Sequence, residues 1–269
     1  APQTPVGQAG GRLQLLGDDD DFDNSVYSVQ PKAEDVKVLY LGNEAENDHT
    51  QPFYYLKRAL QKTRRQIVQL SVHRADAAVP PPESDSAHLI FVADSLAEQP
   101  FRSVQQSLAQ GKTVLVVMKS AALAPTVDQL AGVASLSAVE VSDERYAMLG
   151  EIKFDHPLFA PFADPRFSDF TKIHFWKHRR IEIGGVPEAR ALARFDNGNP
   201  AVVEIPAGKG TLLVLASGWQ PTDSQLALSS KFVPLLYSLL EQSGALKVQR
   251  SQFVIGDEGN TNPKLERYT

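Results

Sequence analysis

Between residues 36 and 132, uninterrupted apolar runs alternate with segments of helical periodicity. This alternation restricts the chain to a few α/β architectures. Val36–Leu41 (VKVLYL) stops at Gly42, and Leu89–Asp94 (LIFVAD) and Thr113–Met118 (TVLVVM) repeat the pattern. Strands that are apolar on both faces belong to parallel sheets buried between layers of helix. A fourth strand is predicted at Gln66–Val72. Helices fall between them. Thr50 as N-cap, with Pro52 in the first turn, opens one that carries Phe53, Leu56 and Leu60 on a single face. Pro100 opens a second, with Phe101, Val104 and Leu108 inward and Gly111 just past its end. Leu123–Gly132 reads as a third, followed by a short strand at Val139–Val141. Parallel strands need right-handed crossovers. The expected fold is therefore α/β and flavodoxin-like, a mostly parallel sheet with helices on both faces.

The rest of the chain follows other rules. Leu13–Leu16 and Asn24–Val29 flank an acidic run and read as two short strands, an N-terminal β extension. Residues 150–180 are irregular and rich in Phe, Pro and His. Arg190–Phe195 and Ala201–Ile205 flank Asp196-Asn197-Gly198-Asn199-Pro200, a hairpin turn. Gly208-Lys209-Gly210 turns the chain into Leu212–Ala216, so late antiparallel strands extend the sheet. Phe232, Leu235, Leu236, Leu239 and Leu240 fall at helical spacing, with Gly244 as the stop. Expected boundaries are 1–34 for a linker and β extension from a preceding domain, 35–247 for the α/β domain, and 248–269 for a C-terminal linker. Both ends read as cut points in a longer protein.

Charge and composition exclude several chemistries. The 269 residues carry 27 basic and 32 acidic side chains, a net charge of −5, which argues against nucleic acid as a partner. Lys172, Lys177, His178, Arg179 and Arg180 form the one dense basic cluster, read as a solvated surface. The absence of cysteine removes thiol nucleophiles, disulfides and thiolate metal sites. No run approaches the roughly 18–20 apolar residues of a membrane span. No cofactor is expected, because neither Gly184-Gly185 nor Gly208-Lys209-Gly210 has the spacing of a phosphate loop.

Two stretches go beyond pattern: Gly17–Val29 (GDDDDFDNSVYSV), and residues 192–236, which contain ARFDNGNPAVVEIPAGKG and FVPLL. Together they resemble the large extracytoplasmic region of bacterial membrane proteins of the BatA and von Willebrand factor A type. In those proteins a domain similar to class I glutamine amidotransferases follows the membrane and von Willebrand segments. The resemblance covers roughly residues 12–247. It implies an amidotransferase-like fold, an extracytoplasmic (periplasmic) location and attachment to the membrane through flanking segments, but no established reaction.

The chemistry expected of that fold is weak here. An amidotransferase needs a cysteine at a strand-to-helix elbow, with a histidine and a carboxylate nearby. By the resemblance, Ser120 stands near that elbow. A degenerate serine hydrolase would use Ser120 as nucleophile with His156 as base and Asp155 as orienter, His174 and Asp169 being the alternates; the competing reading is that Ser120 caps a helix. Asp19, Asp21 and Asp23 could hold a calcium ion, but they lack the spacing of a calcium loop and read as a solvated acidic turn. Ligands of open α/β sheets gather at the carboxyl ends of strands. This places Asn43, Glu44, Asp94, Ser95, Trp219 and Asp223 on one edge as the expected binding face. Trp219 is either a platform for a sugar or peptide or a core residue beside a capping Asp223 or Ser224. The expectation is a non-catalytic binding or scaffolding module whose partner is an envelope protein, glycan or peptide; a structural spacer is the further alternative.

Overall fold

A computed structural model describes residues 10–14, 25–29, 34–61, 66–133 and 137–245. Asp19, Asp21 and Asp23 of the acidic turn and the C-terminal linker lie outside these residues. Strands β1 (Gly10–Gln14) and β2 (Ser25–Val29) pair antiparallel, the expected N-terminal extension. The main sheet contains β3 (Glu34–Leu41), β4 (Gln66–His73), β5 (Leu89–Val92), β6 (Thr113–Val117), β8 (Leu149–Ile152), β10 (Arg190–Phe195), β11 (Pro200–Ala207) and β12 (Gly210–Leu215). The remaining two strands, β7 (Ala138–Ala147) and β9 (Phe175–Ile181), form a separate antiparallel ribbon.

The eight strands lie in the order β4-β3-β5-β6-β12-β11-β10-β8. The first five are parallel, and β11, β10 and β8 continue antiparallel. The parallel part has the flavodoxin-like order 2-1-3-4-5. Its central strands β5 and β6 are buried at every position, as expected for strands apolar on both faces. Helices α1 (Pro52–Ala59), α2 (Glu98–Ala109), α3 (Ala124–Ala131) and α4 (Phe232–Gln242) cover the sheet. Each turns its apolar stripe inward: Phe53 and Leu56, Val104 and Leu108, Val127 and Leu130, Leu236 and Leu239 are all buried.

Local chemistry accounts for most boundaries and revises a few. Gly111, Gly132 and Gly244 follow α2, α3 and α4 with positive φ, the left-handed stop that glycine takes without strain. Pro52 occupies the first turn of α1, but Gln51 precedes it as N-cap; Thr50 turns its amide and hydroxyl to Asp48 instead. Helix α2 begins two residues before Pro100. The segment that reads as irregular holds most of β8 and β9, and the short strand at Val139–Val141 lies near the start of the ten-residue β7. Tertiary pairing stabilises these strands despite a weak local pattern. The basic cluster is only partly solvated: Lys172, Lys177 and Arg180 are exposed, whereas His178 and Arg179 on β9 are buried.

The turn Gly208-Lys209-Gly210 packs against the end of α2. A Cβ on Gly210 would collide with the Lys112 carbonyl and lie 2.7 Å from the Leu108 carbonyl, both backbone atoms. Gly210→Ala is expected to destabilise the protein by about 1–3 kcal/mol. A lower urea midpoint with unchanged m-value would show it; an unchanged midpoint would mean that the turn yields.

Candidate functional site

The carboxyl ends of β3, β5, β6 and β12 meet at one edge, as the parallel register requires. Two linked ion clusters lie there. The first is built around Lys119, two residues past β6. Its ammonium lies 2.8 Å from Glu44 Oε1, 3.1 Å from Asp94 Oδ1 and 3.2 Å from Gln51 Oε1. Glu44 follows β3, and its second oxygen accepts the Tyr40 hydroxyl at 2.8 Å and the Phe53 N–H, in the first turn of α1, at 3.0 Å. Asp94 follows β5 and accepts the Asn43 N–H at 2.8 Å. Gly42 makes room for this arrangement, since a Cβ there would lie 2.6 Å from the Tyr40 ring. Burial, with the neighbouring Glu44 carboxylate, holds the Tyr40 phenol well above its ordinary pKa, so the hydroxyl stays a donor.

The second cluster is built around Arg179. The β7–β9 ribbon lies across the end of β12: the Arg179 N–H donates to the Ala216 carbonyl, and the Trp176 and Lys177 N–H groups donate to the Asp223 carbonyl. This places the guanidinium, 4% exposed, 2.6 Å from Asp223 and 2.9 Å from Glu140. It also donates to the Lys119 carbonyl, which joins the two clusters. Glu140 in turn accepts the Ala121 N–H at 2.7 Å.

The expected site residues separate into three groups. Asn43, Glu44, Asp94 and Ser95 come together at the strand ends; Asn43 and Ser95 are exposed, while the Glu44 side chain is 3% exposed. Trp219 and Asp223 belong to the interior. The Trp219 indole packs edge-on to Phe91 and against Phe232 and donates to the Pro52 carbonyl at 2.8 Å, so it offers no free face to a sugar or peptide. Asp223 is consumed by Arg179 and the Gly218 N–H.

Ser120, His156 and Asp155 are not assembled. The Ser120 hydroxyl accepts the Ala122 N–H at 3.2 Å and caps the short turn after β6. His156 has both ring nitrogens engaged, Nε2 with Glu204 at 3.2 Å and Nδ1 with the Leu158 N–H at 3.2 Å. The topology explains the separation. Strand β8 runs opposite to β6, so the chain leaves β8 toward His156 at the end of the sheet remote from Ser120. Asp155 is exposed. Of the alternates, His174 stacks on Tyr146 at 3.8 Å, and Asp169 is held by the Thr171 amide and hydroxyl.

Sequence reasoning missed Lys119, Gln51, Glu140 and Arg179. Alternation in β9 does not single out Arg179, because Lys177 in the same phase is exposed and His178 in the opposite phase is buried. Among the described residues, no group of histidines and carboxylates could hold a metal ion.

No family model matches the chain, and no curated protein matches it. Solved structures do share its fold. A cytoplasmic protein from Salmonella typhimurium LT2 aligns over 77% of this chain and 99% of its own, at 13% identity and a TM-score of 0.55. A second cytoplasmic protein from Salmonella typhimurium aligns over 77% and 98%, at 14% identity and 0.56. A ThuA-like protein from Parabacteroides merdae aligns over 81% and 93%, at 14% identity and 0.53. ThuA-like proteins have the class I glutamine amidotransferase-like fold, so the fold implied by the sequence resemblance holds. At these identities the likeness is one of fold alone.

Proposed function

We propose that this chain is a non-catalytic binding module on an amidotransferase-like α/β scaffold, part of a cell-envelope protein of the BatA and von Willebrand factor A type. One observation carries this reading. The strand end where the fold would display a nucleophile is occupied by Lys119, salt-bridged to Glu44 and Asp94, and the adjacent Ser120 hydroxyl is spent on a backbone cap. A preformed edge whose charged groups are already bound to one another suits recognition better than bond cleavage, because a nucleophile or general base there would first have to leave its partner. The exposed Asn43 and Ser95 and the half-exposed Glu140 form the rim that a partner would touch. The partner in this reading is an envelope protein, or a glycan or peptide displayed there, and the domain works outside the cytoplasm. No helix among the described residues is long and apolar enough to cross a membrane. Attachment would come from flanking sequence.

Trp219 and Asp223 are poor probes of the face, because replacing buried residues tests folding. In-cell crosslinking of the full-length protein, with mass spectrometry of what this domain captures, is the direct test. A reproducible envelope partner, lost in an Asn43→Arg/Ser95→Arg variant with an unchanged melting temperature, is the expected result. Clean failure to capture any partner would leave a spacer domain. Labelling of the folded protein by a serine-reactive probe, abolished by Ser120→Ala, would replace the binding reading with a hydrolase.

A further inference from the structure

Strand β11 runs toward the amino ends of β12 and β6, where Pro206 pairs with Thr211 and Thr211 with Thr113. This is the end of the sheet opposite Lys119, and it holds a polar cluster of its own. The Glu204 carboxylate, 7% exposed, accepts from three parts of the chain: His156 Nε2 at 3.2 Å, Gln242 Nε2 of α4 at 3.3 Å, and the Arg190 guanidinium, whose residue pairs with Glu204 across the sheet. Arg190 spends one nitrogen, Nη2, on that bond. A guanidinium carries five N–H donors in a rigid fork, and this side chain is 60% exposed. Glu204 therefore anchors the group and leaves its other nitrogens unbonded among the described residues. Arg190 lines a surface pocket of about 350 Å³ together with Glu188, Ala189 and Pro206. The turn that carries Glu188 is unusual. The Ala189 N–H donates to the Val186 carbonyl at 3.3 Å, across Pro187 and Glu188, and Glu188 has a φ of 58°. Proline second and a left-handed residue third are the marks of a type II turn, whose third position favours glycine. A glutamate there costs the backbone something that glycine would not. Its carboxylate is exposed and, among the described residues, meets no donor or cation, Arg190 included.

We infer that this pocket binds a small zwitterion with an α-ammonium and a carboxylate, the chemistry shared by free amino acids and short peptides with free ends. The ammonium meets the Glu188 carboxylate. The carboxylate meets the unspent N–H groups of Arg190, whose fork matches a carboxylate in bidentate geometry. Ala189 and Pro206 offer an apolar wall to a small side chain. Two opposite charges on one pocket, unpaired with each other, select a ligand that carries both, because a singly charged ligand leaves one of them unmet. The inference is independent of the proposed binding face, which lies at the opposite end of the parallel strands.

The test is a titration of the full 269-residue chain, followed by amide NMR, with alanine and, separately, with alanyl-alanine. Saturable shifts centred on the Ala189 and Arg190 amides are expected, and the tighter of the two ligands tells a free amino acid from a peptide. Acetylating the ammonium or amidating the carboxylate of that ligand should each weaken binding by about tenfold, the loss of one charge-assisted contact. Glu188→Gly puts the favoured residue into the turn, so its melting temperature should hold or rise while the shifts disappear. No saturable shift at these amides with either ligand would overturn the inference. So would capped ligands that bind as well as the free one, or a Glu188→Gly variant that binds as tightly as the wild type.

Discussion

Replacing Arg179 with methionine is expected to destabilise the protein by about 3–5 kcal/mol, the usual result of removing one partner of a buried ion pair. The guanidinium is 4% exposed and Asp223 is 6% exposed, so the carboxylate left behind has little access to water. The same substitution frees the Lys119 carbonyl and the inner end of Glu140, loosening both clusters. Arg179→Lys should fall between, because a single ammonium cannot reach three acceptors set in a fork. Adding Asp223→Asn to Arg179→Met keeps an acceptor for the Gly218 N–H while removing the stranded charge, and should recover part of the loss. Urea titrations of the four proteins measure this directly. A loss under 1 kcal/mol in Arg179→Met would mean that water reaches Asp223 and that the network is peripheral to stability.

Trp219→Ala should cost a similar 3–5 kcal/mol, by the mechanism of large-to-small core substitutions. The indole is 1% exposed, packs between Phe91 and Phe232, and ties the loop after β12 to the first turn of α1 through Pro52. Trp219→Phe keeps most of the packing but leaves the Pro52 carbonyl without its donor, so about 1–3 kcal/mol should remain. Thermal and urea unfolding would separate the two. If Trp219→Ala left stability unchanged while abolishing capture of a partner, the indole would be a recognition surface after all.

The parallel half of the fold was legible because burial on both faces leaves an unmistakable mark. Runs such as VLVVM and LIFVA have no polar position at which a strand or helix could face solvent. Strand β9 was not legible for the opposite reason. FWKHRRI carries four basic side chains, and only the long-range pairing with β7 and the acceptors Asp223 and Glu140 make its inward Arg179 tolerable. A partner 39 or 44 residues away leaves no local pattern. The strand-end residues Asn43, Glu44, Asp94 and Ser95 could be grouped from topology alone. Lys119 could not, because a charge after a buried strand is ordinary, and only three-dimensional convergence shows Glu44, Asp94 and Gln51 meeting it. Trp219 was ambiguous for a related reason: an aromatic at a strand end is equally at home in a crevice or in the core, and the nearby Pro52 carbonyl decides between them.

The sheet order has a consequence for how the chain is made. Strand β6 pairs with β12 through Thr113 and Thr211, partners 98 residues apart. At a synthesis rate of about 5–20 residues per second, the ribosome needs roughly 5–20 s to supply that partner after β6 has emerged. Throughout that interval TVLVV, buried at every position of the finished sheet, lacks one of its two neighbours. Strand β12 therefore does more than complete the parallel part of the sheet. Its arrival closes the open side of β6 to chaperone capture and to aggregation with other growing copies of the chain.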